Sequence, residues 1–297
     1  MFIDALSVAY RAFFAMRGLS TQSGLPTNAI FGFIKMIEQL NKKWSFEYCM
    51  AVFDGGLPKE RMELLDSYKQ QRPPMPEELK KQLKYIEQYL EATGIPWIRK
   101  EGMEADDIIA SLAVVAKEQW GGNVILATSD KDFYQLVCEG ISIVPVAGKE
   151  QVLFGVEEVK EKYGVYPEQI PDLLALTGDA SDNIPGVHGI GPKTAVAILE
   201  KFGFVENLWQ RIEEIENEKV RTALLNNREI IERNKKLTIL NRNCLCGISK
   251  EDCKRKPPDE KSMQNLFKEL EFKSLMRNVT HKNSDNAGYG QGVLFGA

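Results

Sequence analysis

From the N-terminus to about residue 155, short apolar runs alternate with stretches of helical periodicity. The runs FID at 2–4, YCMAVF at 48–53, PWIR at 96–99, NVILA at 123–127 and ISIV at 141–144 read as strands. Between them, 29–40 and 106–117 carry apolar residues at helical spacing and read as amphipathic or buried helices. Strands separated by helices predict an α/β domain with a mostly parallel central sheet, and the Leu, Ile and Val side chains of these runs form its core.

The stretch from 59 to 90 breaks the pattern. It is long, charged and helix-prone, is interrupted by Pro73, Pro74 and Pro76, and predicts a projecting helical insertion at about 59–92. Beyond about 165 strand character disappears, and PEQIPDLLALTG, PKTAVAILEKFG and the segments up to MQNLFKELEFKSLM read as helices. The expected organisation is an α/β core over 1–165, a helical domain over 166–279 and a polar, Gly-containing flexible tail over 280–297.

Composition narrows the functional classes. The 297 residues are 43% hydrophobic, ample for a buried core, and no apolar stretch approaches the roughly 20 residues of a membrane span. Met1 leads into FID without a basic flank or cleavage signal, so a cytoplasmic location and no membrane partner are expected. The cysteines are odd in number and scattered, and Cys244, Cys246 and Cys253 lack a neighbouring fourth ligand for zinc. His188 and His281 are the only histidines, which disfavours a histidine base.

The candidate chemistry lies in the acids. Asp4, Asp54, the trio Glu104, Asp106 and Asp107, the pair Asp130 and Asp132, and the pair Asp179 and Asp182 form five clusters. Asp4 and Asp54 finish apolar strands, where a carboxylate must find a partner or a metal. The acids of EADD and SDKD read equally as helix caps and dipole partners when taken alone. Phosphodiester hydrolysis benefits from two divalent ions about 4 Å apart, and Mg2+ takes hard oxygen ligands. The formal charge is -4, yet setting the nine acids aside leaves 33 acids against 38 bases, a surface able to attract phosphate once metals neutralise the cluster.

GDASDNIPGVHGIGPKTA at 178–195 is the most specific string. Its glycines, Gly186, Gly189 and Gly191, predict a tight turn between helices with exposed backbone groups, as in helix-hairpin-helix elements that grip a DNA backbone. His188 falls at the tip.

Taken with FID, AYRAFFA, GLPTNAIFGF, VFD followed by Arg61, YKQQRPPMPEEL, GMEADD and TSDKDFYQLV, this string resembles the flap endonuclease family, specifically the 5′-3′ exonuclease domain of bacterial DNA polymerase I. No polymerase segment follows, so a stand-alone nuclease or an excised domain is expected. The resemblance implies a PIN-like nuclease core, a helical arch and a helix-hairpin-helix domain. It implies two Mg2+ ions per site, with Mn2+ as an alternative. Asp4, Asp54, Glu104, Asp106, Asp107 and Asp130 would surround the first ion, with Asp132, Asp179 and Asp182 toward the second. Lys69 and Arg72 would reach the scissile phosphate from the arch. Tyr10, Arg11, Arg61 and Lys193 are expected DNA contacts, with Phe13 and Phe14 in the core, and the hairpin loop would bind K+ through main-chain oxygens. One departure stands out: Ala5 and Leu6 follow Asp4 where the family usually carries glycine and a small or polar residue.

The expected protein is a monomeric, structure-specific 5′-3′ exonuclease and 5′-flap endonuclease acting on branched or nicked DNA with a free 5′ end, in replication and repair. The tail ends QGVLFGA, and Gln291, Leu294 and Phe295 resemble the short peptide that docks bacterial proteins on the sliding clamp. The rival readings are a catalytically impaired DNA-junction binder recruited to the clamp and an RNA-directed nuclease. Retention of all nine acids opposes the first, because carboxylates repel phosphate, and the helix-hairpin-helix string opposes the second.

Overall fold

The computed structural model describes residues 1–16, 18–146, 152–244 and 247–276. Five strands, β1 (Phe2–Asp4), β2 (Met50–Phe53), β3 (Trp97–Arg99), β4 (Val124–Ala127) and β5 (Ile141–Val144), form one sheet in the order β3-β2-β1-β4-β5. β1 pairs in parallel with both β2 and β4, and β4 pairs in parallel with β5. The chain therefore builds outward from β1 in two directions, and the order reverses between β1 and β4. Ligands of open parallel sheets bind outside the carboxyl ends at such a reversal. Tyr48, expected in the second strand, instead forms an isolated bridge to Lys254.

The described helices are α1 (Ala5–Ala15), α2 (Asn28–Lys43), α3 (Lys59–Leu64), α4 (Glu77–Ala92), α5 (Ala105–Gln119), α6 (Val156–Tyr163), α7 (Ile170–Thr177), α8 (Pro192–Phe202), α9 (Val205–Gln210), α10 (Glu218–Asn226), α11 (Arg228–Thr238) and α12 (Glu260–Glu269). The chain forms two compact units that interleave in sequence. One comprises Met1–Val8, Met50–Met75 and Ile98–Asp252, and the other Ala9–Cys49, Pro76–Trp97 and the described residues from Cys253 onward.

In the first unit β1 and β2 are buried along their whole length, which is why they read as unbroken apolar runs rather than alternating ones. Helix α5 packs on β1, β2 and β4, burying Ile108, Ile109, Leu112 and Ala113. Contrary to the expected loss of strands after 165, β6 (Gly178–Asp179) and β7 (Ile184–Pro185) form an antiparallel pair between α7 and α8. Two glycines permit it. A Cβ on Gly178, whose φ is +78°, would collide with the Gly186 nitrogen, and one on Gly186 would collide with the Thr177 carbonyl oxygen. Two residues per strand are too few for an alternating pattern to register.

The second unit corrects the expectation of a projecting insertion. Only its first half, α3 and the turns to Met75, lies outside this unit's core. Helix α4 packs between α2 and α12, burying Leu79, Tyr85, Ile86, Tyr89 and Leu90. Its polar intruder, Gln82, is wholly buried and satisfied: its amide donates to Asn28 Oδ1 at 2.9 Å and to the Glu78 carbonyl at 3.0 Å, and its Oε1 accepts the Ile30 N–H. The high density of Lys and Glu on α4 is one solvated face of an amphipathic helix. Phe14, expected in the core, is 61% exposed on α1, and Phe13 is half-buried against it.

Candidate metal centre

The sheet brings the acids together. Asp4 ends β1, Asp54 follows β2, and Asp130 follows β4 by three residues, so three parallel strands deliver a carboxylate to one edge. Helix α1 starts directly after Asp4, whose Oδ1 accepts the Ser7 N–H at 3.0 Å while Oδ2 accepts Thr128 Oγ1 at 3.0 Å. Ala5 and Leu6 are the first two residues of that helix, Ala5 fully buried, and both are strong helix formers.

The N-terminus of α5 supplies the next set. Glu104 is its N-cap residue, Asp106 and Asp107 lie in its first turn, and the Ala105 N–H donates to Asp54 Oδ1 at 2.9 Å. The helix dipole favours charge at this end. Asp130 caps the following 3-10 turn by accepting the Asp132 N–H at 3.0 Å. The connection from β6 to β7 brings Asp179 and Asp182, and one carboxylate oxygen each of Asp132, Asp179 and Asp182 lies within 4.8 Å of the others. The Oδ1 of Asp132 is buried and has no hydrogen-bond partner.

Own-chain cations reach only part of this cluster. Lys69, 7% exposed despite its expected place on an arch, contacts Glu104 and lies 3.4 Å from Asp182. Its N–H donates to the Asp182 carbonyl at 3.0 Å, and its φ of +55° is unusual for a side-chain-bearing residue. Arg72, half-exposed, donates to Asp182 Oδ1 at 2.6 Å, and Tyr68 donates to Asp182 Oδ2 at 3.1 Å. Lys131 binds Asp179 at 2.6 Å.

Arg61, expected to touch DNA, is 7% exposed and bound to Glu104 and, through both Nη atoms, to Asp107. Asp107, expected beside the first metal, is thereby engaged within the protein. The hairpin residues Gly186, Gly189 and Gly191 are exposed, as are His188 and Lys193. Tyr10 is half-buried and Arg11 exposed on α1. Gln291, Leu294 and Phe295 lie outside the described residues, as do Cys246 and His281.

The electrostatics follow this division. Burial, then the charge of Asp54, pushes the Asp4 carboxyl up to about 7. Burial followed by the Asp130 charge holds both Asp106 and Asp132 well above the usual range, and burial also raises Asp54 and Asp130. Glu104 goes the other way: burial alone would raise it, but Lys69 and Arg61 outweigh that and lower it. Asp179 is likewise lowered because Lys131 and Ser181 outweigh its burial. Sequence reasoning misses Tyr68, Thr128 and Lys131. Lys131 is visible between the two acids of SDKD, whereas nothing marks Thr128.

The 5′-3′ exonuclease N-terminal resolvase-like domain matches residues 1–164, and the 5′-3′ exonuclease C-terminal SAM fold matches residues 165–261. This chain belongs to the 5′-3′ exonuclease family. Among its relatives, one named 5′-3′ exonuclease from Aquifex aeolicus (strain VF5) is 41% identical over 277 residues, covering 93% of each chain. DNA polymerase I of Bacillus caldotenax is 39% identical over 285 residues; the match takes in 95% of this chain but 32% of the polymerase. The chain spans about a third of the length of the polymerases it matches. A structure of T5 5′-exonuclease with divalent metal ions (zinc) bound superimposes with a TM-score of 0.68 at 23% identity, covering 91% of this chain and 97% of that one. The catalytic core of Rad2 in complex with DNA substrate gives 0.59 at 20% identity, covering 91% and 86%. The shared fold is a mostly parallel PIN-like sheet domain with a helical SAM-like domain. Among the described residues no helix is long and apolar enough to cross a membrane.

Proposed function

We propose that the chain is a divalent-metal-dependent 5′ nuclease that hydrolyses phosphodiesters in branched or nicked DNA with a free 5′ end, removing flaps or RNA primers in replication and repair. One observation carries the reading: Asp4, Asp54, Asp106, Asp130 and Asp132 are carboxylates with raised pKa values that repel their neighbours, and Asp132 keeps a buried oxygen without a partner. Such a cluster is costly unless a cation completes it. The donor set is all oxygen, which fits Mg2+ and also Mn2+.

Asp4, Asp54, Asp106 and Asp130, with Glu104 beside them, would hold one ion, and Asp132, Asp179 and Asp182 the other. Two such ions supply activation of water and stabilisation of the leaving oxygen. The chain's own residues bind and orient the DNA. Arg72 presents a half-exposed guanidinium that can exchange Asp182 for a bidentate phosphate, while Lys69, buried in the same turn, acts on the site as a point charge held by Glu104. The exposed Gly186–Gly191 turn and Lys193 suit a phosphate backbone, with K+ bridging main-chain oxygens there. Gln291, Leu294 and Phe295 would tether the monomer to a sliding clamp in the cytoplasm, and binding of a 281–297 peptide to purified clamp tests that part.

The deciding experiment compares cleavage of 5′-flap DNA, nicked duplex and single-stranded RNA with Mg2+ and with EDTA. Flap cleavage confined to the Mg2+ reactions is expected. Metal-independent flap binding without cleavage would replace this reading with the junction binder, and preferential RNA cleavage with the RNA-directed nuclease.

A further inference from the structure

We infer that Arg61 is a positioning residue rather than a DNA contact: it fixes the Glu104 carboxylate and ties the end of α11 to the acid cluster, with Asp107 as its anchor. The inference rests on the proposed reading of the cluster as a metal centre. The guanidinium has little surface left for phosphate. Its Nη1 donates to Glu104 and, at 3.0 Å, to Asp107 Oδ2; its Nη2 donates to Asp107 Oδ1 at 2.8 Å and to the Ile239 carbonyl at 3.2 Å.

Asp107 Oδ1 also accepts the Asn241 N–H at 2.9 Å. One turn further along α5, Ser111 donates to the Asn241 carbonyl at 3.0 Å and accepts the Cys244 N–H at 2.7 Å. The arginine therefore clips three elements: α3, the N-terminus of α5 and the segment that follows α11. Lys69 contacts Glu104 Oε1, Arg61 takes Oε2 and the Tyr68 hydroxyl reaches both, so the three together set the plane of that carboxylate. The planar fork is what makes this grip; a lysine ammonium could satisfy one oxygen but not the bidentate pair. With both oxygens of Asp107 occupied, the carboxylate serves the clip and leaves metal binding to Asp106, its neighbour.

The test uses the full chain with Arg61→Gln, Arg61→Lys, Asp107→Asn and the Arg61→Gln/Asp107→Asn double variant. Two readouts are independent of turnover: Mn2+ and Mg2+ binding by calorimetry, and the salt dependence of 5′-flap binding in EDTA. Arg61→Gln should weaken divalent-ion binding by roughly 10- to 100-fold, the usual loss on removing a residue that orients a metal ligand, and Arg61→Lys should recover part of it. The salt slope of DNA binding should not change. Asp107→Asn should bind as many ions as the parent, and the double variant should lose less than the two single losses combined.

A metal affinity that stays intact while Arg61→Gln lowers the salt slope by about 0.9 would make Arg61 a phosphate contact and overturn the proposal. Loss of one bound ion in Asp107→Asn would overturn the anchor role. Thermal melts identify any variant that fails to fold, and Arg61→Lys, the mildest change, then carries the comparison. Parent protein that binds metal but cleaves no flap would end the nuclease reading and leave this one standing.

Discussion

Two sets of buried and half-buried carboxylates share one edge of the sheet and have opposite electrostatics. Glu104, Asp107, Asp179 and Asp182 are met by Arg61, Lys69, Lys131 and Arg72, side chains of the same protein. Asp4, Asp54, Asp106, Asp130 and Asp132 are raised first by burial and then, at Asp4, Asp106 and Asp132, by the charge of others in the set, so their protonated forms are favoured. On the proposed reading, the contrast separates the acids paired by cations of the chain from those that an external cation would complete. The first set is structural as well as chemical, and the second is poised.

The most severe test of that division is Asp106→Asn. Loss of a ligand from the unneutralised set should reduce Mg2+-dependent flap cleavage by about three orders of magnitude, since metal assistance contributes several kcal/mol. The same change removes a repelling charge, so the metal-free protein should melt at a higher temperature than the parent. Cleavage within a few-fold of the parent would mean that Asp106 belongs with the paired set.

Next in size is the pH dependence. All five raised carboxyls bind protons more tightly in the folded than in the unfolded state. For Asp4, raised to about 7, the contribution is complete below about pH 4 and is lost as pH rises through about 7, and the other four act in the same direction. Glu104 and Asp179, being lowered, contribute stability above their unfolded values and lose it only at acid pH. In EDTA the protein should therefore be less stable at pH 8 than at pH 5 by a few kcal/mol, because each tenfold gain in a carboxyl's proton affinity on folding is worth about 1.4 kcal/mol. Mg2+ should restore the difference at pH 8, and thermal melts at the two pH values check both statements.

Lys69→Ala is a smaller, more discriminating change. Lys69 lies close enough to Asp54, Asp106 and Asp130 to bias them toward the charged form, although its direct partner is Glu104. Removing its charge should lower flap turnover while changing Mg2+ affinity, in calorimetry, by less than Arg61→Gln does, because relief of competition with the metal offsets the loss of its contact to Glu104. A loss of Mg2+ affinity as large as that of Arg61→Gln would place Lys69 purely in the structural set. Lys131→Met should have the least effect, about 1 kcal/mol of stability in chemical denaturation, because the Lys131 side chain remains a third exposed.

Much of this is legible in the sequence, for physical reasons. Strands buried on both faces announce themselves as apolar runs, and all five lie within two residues of the ends expected for them. Asp4, Asp54, Glu104, Asp106, Asp107, Asp130 and Asp132 sit after strand ends or at helix starts, positions that a parallel sheet gathers at one edge, whereas Asp179 and Asp182 come from the β6–β7 pair. What sequence does not carry is pairing. Arg61 and Lys69 look like exposed helix charges, and only the fold brings 61 beside 104 and 107, or 69 beside 182. Helix α4 reads as projecting because the charges along it mask the apolar stripe of Leu79, Ile86 and Leu90. Phe14 misleads in the opposite sense, since an aromatic in an apolar helix is usually core.

The interleaving of the two compact units bears on how the chain comes to be folded. The backbone passes between them five times, and the second unit needs α12, which begins at Glu260, to cover α4. During synthesis neither unit can close until most of the polypeptide has emerged, so contacts far apart in sequence must form late and together. A fragment ending at residue 164 would lack α12, Asp179 and Asp182, and would leave the side of α4 that α12 covers bare to solvent. The boundary that divides the chain into two families of sequence is therefore not a place where the protein can be cut into two that fold alone.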